Sequence, residues 1–134
     1  MRSLIFAGIQ RYSLFSPNHV GNDAAIFSAV AQYLKENGHQ VNMYTEQEFL
    51  TNSLKGEKYI FTMMRSKASV RKLQKLEEKE DCFAVNSGHG IENCTRERMT
   101  TLLLENQISH PRSLIWDTND GVPEALIKPV FEPC

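Results

Sequence analysis

The chain has 134 residues, a net charge of −1, 41% hydrophobic and 23% charged residues. That is the length of one domain, enough to bury one core and not two. Near-neutral charge removes any global electrostatic case for a nucleic-acid or membrane-surface partner. No run approaches the roughly 20 apolar residues of a membrane span. The cysteines Cys82, Cys94 and Cys134 are odd in number and widely spaced. We expect reduced thiols in a cytoplasmic protein rather than a disulfide framework. The apolar start, SLIFAGI, is too short for a signal peptide and no small-residue cleavage site follows it.

Residues 3–9, apolar on consecutive positions, read as a strand buried on both faces. A polar loop with Pro17 and Gly21 follows, and Asn22 or Asp23 can cap the next helix. Ile26, Val30, Tyr33 and Leu34 recur at helical spacing, and Gly38 supplies the stop. Gln40 to Thr45 is a second strand, and Thr45 caps a short helix with Glu46 and Glu48 in its first turn. Lys58 to Met63 is a third strand, and Ser66 caps a helix carrying Val70, Leu73 and Leu76. Cys82 to Val85 is a fourth strand. A polar loop, Asn86 to Asn93, and a helix with Met99, Leu102 and Leu103 on one face come next. Ser113 to Trp116 reads as a short fifth strand, and Pro123 to Ile127 as a helix stopped by Pro129. Alternating strands and helices predict a three-layer α/β fold with a mainly parallel open sheet of four to five strands. Ligands of such sheets bind beyond the carboxyl ends of the strands. The chain stops on a proline-rich stretch with no closing helix, and we expect it to be cut before a further domain.

Candidate chemistry is concentrated in the loops at that edge. Strand, glycine-bearing loop and helix over Asn86 to Leu104 is a geometry that presents backbone N–H groups to an anion. Arg96 and Arg98 near that helix start would add charge-assisted bonds. Arg65 sits at a strand-to-helix junction and is a ligand candidate of the same kind. The other basic residues of its helix, Lys67, Arg71, Lys72 and Lys75, read as a solvated outer face. Asn86 and Asn93 are turn and cap residues first. The loop after the first strand holds neither G-x-G-x-x-G nor a Walker A lysine, which disfavours a nucleotide there. Cys94 with His89 could form a nucleophile and base, but no third group is identifiable. The four histidines have no partners at zinc spacing, so no metal site is expected.

Several of these residues form a recognisable set. Met64-Arg65-Ser66 ends the third strand; Val85-Asn86-Ser87 ends the fourth, followed by G-I-x-N-C-T over Gly90 to Thr95. R-E-R-M-T-T-L-L over Arg96 to Leu103 and the stretch Asn106 to Pro111 complete it. In these features the chain resembles the N-terminal (pre-ATP-grasp, Rossmann-like) domain of ATP-grasp ligases of the glutathione synthetase and ribosomal-protein-modifying type. The resemblance implies residues 1–116 as that domain, with 117–134 as a linker or the start of the grasp domain. It implies an ATP-dependent carboxylate–amine or carboxylate–thiol ligase acting through an acyl-phosphate, and inactive as this chain alone. Arg65, Asn86 and Ser87 would bind the small-molecule or peptide substrate. Arg96 or Arg98 would reach the ATP phosphates, where the family usually carries lysine. ATP and magnesium would be held by grasp domains in cis. The family often dimerises, although no apolar stripe in the sequence marks an interface. Two other readings remain: a free-standing α/β binding or adaptor domain, and a flavodoxin-like domain using Ser13 and Ser16 for a phosphate.

Overall fold

A computed structural model describes residues 2–11, 20–79 and 82–111. The expected strand Ser113–Trp116, the helix from Pro123 and most of the loop after the first strand lie outside them. The chain divides into two compact units, Met1–Thr95 and Arg96–Cys134.

The first unit runs β1 (Ile5–Gln10), α1 (Val20–Glu36), β2 (Gln40–Thr45), α2 (Glu46–Thr51), β3 (Tyr59–Thr62), α3 (Lys67–Glu78), β4 (Phe83–Val85) and α4 (Gly88–Asn93). The four strands form one all-parallel open sheet in the order β2-β1-β3-β4. The α/β fold with helices on the sheet is therefore as the sequence predicts. The order reverses between β1 and β3, so the switch point lies there. Ile9 of β1 sits opposite Tyr44 of β2 and Thr62 of β3, where the Thr62 hydroxyl donates to the Ile9 carbonyl at 3.0 Å.

Alternation along the strands sends Ala7, Ile9, Tyr44, Ile60 and Ala84 to one face. There they join Phe49 of α2, Val70 and Leu73 of α3 and Ile91 of α4 in the main buried cluster. The other face carries Gly8 and Phe61, covered by Phe27 of α1, whose ring centroid is 4.7 Å from that of Phe61. Gly8 allows this approach. A Cβ there would lie 2.7 Å from Phe61 Cζ, 2.9 Å from Met43 Sδ and 3.0 Å from Phe27 Cζ.

Three sequence expectations change. α1 begins at Val20, ahead of Asn22 and Asp23, so neither is its cap, and Asp23 pairs instead with Arg11 at 2.7 Å. Its inward residues are Phe27 and Ala31, while Ile26, Val30 and Tyr33 are exposed. The helix has apolar side chains on more than one side, and the sheet selects those that reach Gly8 and Phe61. The expected loop Asn86 to Asn93 is largely helical as α4. An exposed apolar group, Tyr59, Phe83 and Val85, also lies along β3 and β4 on one face, which pattern reading did not single out.

The described part of the second unit is α5 (Arg96–Glu105) and its exit. Gln107 at φ 53 ends the helix, with Ile108 N–H donating to Leu103 O at 2.9 Å. Among the described residues no helix is long and apolar enough to cross a membrane.

Candidate functional site

Beyond the carboxyl ends of β3 and β4 lies a cleft of about 320 Å³. The β3–α3 turn supplies Met63, Met64 and Arg65; the β4–α4 turn supplies Asn86 and Ser87; α4 supplies Gly90. Ile91 and Cys94 close it. The volume suits a ligand of amino-acid size. Three residues expected to bind substrate, Arg65, Asn86 and Ser87, thus line one cleft, although Arg65 and Asn86 stand 21 residues apart in the chain.

Each turn is built by its own hydrogen bonds. Thr62 Oγ1 accepts from Met64 N–H at 3.0 Å. Glu46, the first residue of α2 and buried, places Oε1 2.9 Å from both the Arg65 and the Ser66 N–H. Ser66 then caps α3, its hydroxyl accepting from Ser69 N–H at 3.2 Å. Across the cleft Asn86 donates its amide to Thr62 O at 3.3 Å, joining the two turns. The Arg65 side chain is exposed, and no described residue hydrogen-bonds its guanidinium.

The α4 turn differs from the expected anion cradle. Gly88 N–H, which would face a ligand phosphate, donates to Glu77 of α3 at 2.9 Å. A Cβ on Gly88 would lie 3.1 Å from the Gln74 backbone nitrogen and 2.9 Å from its Cγ. Gly88 is there so that α3 and α4 can approach, and glycine composition alone does not separate close packing from phosphate binding. Ser87, which lines the cleft, makes no side-chain cap bond. At both turns, therefore, an internal carboxylate takes main-chain donors that an anion could use, Arg65 and Ser66 at the first and Gly88 at the second.

The Cys94–His89 pair is not assembled. Cys94 lines the cleft, but His89 is paired at 3.8 Å with exposed Glu78, and no hydrogen bond joins the two. Arg96 and Arg98 lie in the second unit, both exposed near the start of α5. Within the described residues no group of three or more His, Cys, Asp or Glu could hold a metal ion. These residues do not fit magnesium.

Sequence reasoning missed the buried charges. Glu46 was visible only as a first-turn acid. Lys72, assigned to a solvated face, donates to the carbonyls of Phe49 and of Asn52, the latter at 2.9 Å, and closes the end of α2. Glu57 is buried and accepts from Tyr44 OH at 2.6 Å and Asn42 Nδ2 at 2.7 Å. Its Oε2 has no donor at hydrogen-bonding geometry among the described residues, although the Lys55 and Glu57 main chain is near enough to draw its pKa down. Arg11, at the end of β1 by the switch point, is the counterpart of Arg65 on β3; chain position after a strand was the available signal.

No protein-family model, curated protein or solved structure matches this chain.

Proposed function

We propose that this chain is the substrate-side domain of an ATP-dependent carboxylate–amine or carboxylate–thiol ligase, and that the β3–β4 cleft binds a small carboxylate. The observation that carries the reading is the convergence of Arg65, Asn86 and Ser87 on one cleft of amino-acid size. Glu46 already takes the Arg65 and Ser66 N–H groups, and Glu77 takes that of Gly88. Among the side chains there, an arginine with an amide and a hydroxyl suits a carboxylate. The ligase assignment rests on the motifs around these residues. In it ATP and magnesium are held by grasp domains in cis, with Arg96 or Arg98 toward the phosphates. The odd number and wide spacing of the cysteines support a cytoplasmic setting.

Titration of the ¹⁵N-labelled chain with succinate, a plain carboxylate, tests the cleft. Saturable shifts confined to Arg65, Asn86, Ser87 and Gly90 are expected. Arg65→Ala should weaken binding about 10- to 100-fold, the loss of one charge-assisted bond of about 1.5–3 kcal/mol. Absent or scattered shifts overturn the carboxylate reading. The source gene tests the ligase: codons after Cys134 should encode a lysine-bearing strand, a flexible lid and paired acidic metal ligands. A stop codon directly after Cys134 would overturn it.

The strand order favours a second reading, since β2-β1-β3-β4 is also the beginning of the flavodoxin-like order. That domain would bind FMN, and a purified chain incubated with FMN and carrying no flavin absorbance afterwards removes it.

A further inference from the structure

We infer that Glu46 is a positioning residue for the ligand cleft: its carboxylate engages two consecutive main-chain donors of the β3–α3 turn and so fixes the backbone that presents the Arg65 side chain to a ligand. This rests on the carboxylate reading of the cleft. Glu46 is 2% exposed and belongs to α2, which contributes no residue to the cleft. One of its oxygens lies 2.9 Å from two consecutive N–H groups, Arg65 and Ser66. A buried carboxylate in that place costs desolvation and is retained only with such partners. Like a bound anion in other strand–turn–helix sites, it meets the N–H groups of the two residues that lead into a 12-residue helix. Because the anion is internal, those donors are unavailable to a ligand, and the same bonds fix the backbone from which Arg65 projects. The anchor is itself rigid. Thr45 and Glu48 form a reciprocal capping box at the start of α2, and Phe49, three residues on from Glu46, is 1% exposed in the core. Thr62 Oγ1 holds Met64 N–H on the other side of the turn. Three consecutive N–H groups, at 64, 65 and 66, are thus committed inside the protein.

The test is succinate titration, followed by backbone amide shifts, of the full chain and of Glu46→Gln, Glu46→Ala, Arg65→Ala and the Glu46→Ala/Arg65→Ala double variant. Glutamine keeps an oxygen at the same reach, so Glu46→Gln should hold the Arg65 and Ser66 amide shifts near their original values and Kd within about threefold. Glu46→Ala should raise Kd about tenfold or more. If Glu46 acts through Arg65, the double variant binds no more weakly than Arg65→Ala alone. Equal loss from Glu46→Ala in both backgrounds, or no loss in either, overturns the inference while leaving the cleft intact. Loss in Glu46→Gln equal to that in alanine overturns it too. Should Glu46→Ala fail to fold, Glu46→Asp, whose carboxylate is one methylene shorter, takes its place in the cycle. If the unaltered chain does not bind succinate at the cleft, the carboxylate reading fails, and this inference with it.

Discussion

At the scale of single residues, two positions show how tertiary context decides a role. Gly88 sits where α3 and α4 meet. An alanine there gains up to about 1 kcal/mol of helix propensity. Its methyl would press on the Gln74 backbone nitrogen at 3.1 Å, which no rotamer change relieves. Overpacking of this kind costs about 1–3 kcal/mol, so Gly88→Ala should lower stability in urea denaturation; an increase would mean that the helices separate easily. Glu57 is the second position. Burial pushes its carboxyl up, but hydrogen bonds from Tyr44, Asn42 and the main chain outweigh it and hold the pKa below the ordinary 4.5. Its contribution is present above that ordinary value and disappears as pH falls through the lower folded one. Burial, and then the Glu57 carboxylate, push Tyr44 up to about 12. That contribution is present below the ordinary 10.0 and disappears as pH rises through the folded value. Thermal melts should therefore show an acid loss of stability that is smaller in Glu57→Gln. Identical acid limbs in both proteins would show that the buried pair is not the cause.

At the scale of elements, α2 is the shortest helix on the buried face together with α4, yet it ties the unit together. Its capping box starts it, Lys72 closes its end, and Glu46 crosses to the next turn. A six-residue helix is not stable alone, so tertiary bonds hold it. α3 is different: it has 12 residues, a serine cap and an apolar stripe. Ser66→Ala should cost about 1 kcal/mol in chemical denaturation. It should leave α3 in place, because Val70 and Leu73 remain buried. A helix-wide loss of amide protection would show instead that the cap holds the whole element.

At the scale of the whole molecule, the proposed ligase makes one prediction about the second unit. In the full-length protein, Arg96→Ala with Arg98→Ala should raise KM for ATP with little change in melting temperature, since both residues are exposed. Collapse of thermal stability with unchanged KM would make them structural. The four strands of the described residues, α2 with its cap, α3 with Ser66 and the Gly38 stop were legible along the chain, because each depends on neighbours within a few residues. Gly38 has φ +82 and Thr45 caps α2 through Glu48, as local chemistry requires. The face of α1 was not legible. Ile26, Val30 and Tyr33 have the right period, but Phe27 and Ala31 are the residues that meet the sheet. Arg65, Asn86 and Ser87 could be named as candidates from their places after two strands. That they share a cleft required the parallel pairing of β3 with β4. The internal carboxylates could not be foreseen at all. Glu46 reaches Arg65 across 19 residues and Glu77 reaches Gly88 across 11, and a sequence pattern carries no distance between such positions. Local order follows from short-range sterics and capping; the choice between an anion site and a packed glycine follows from which helices the sheet brings together.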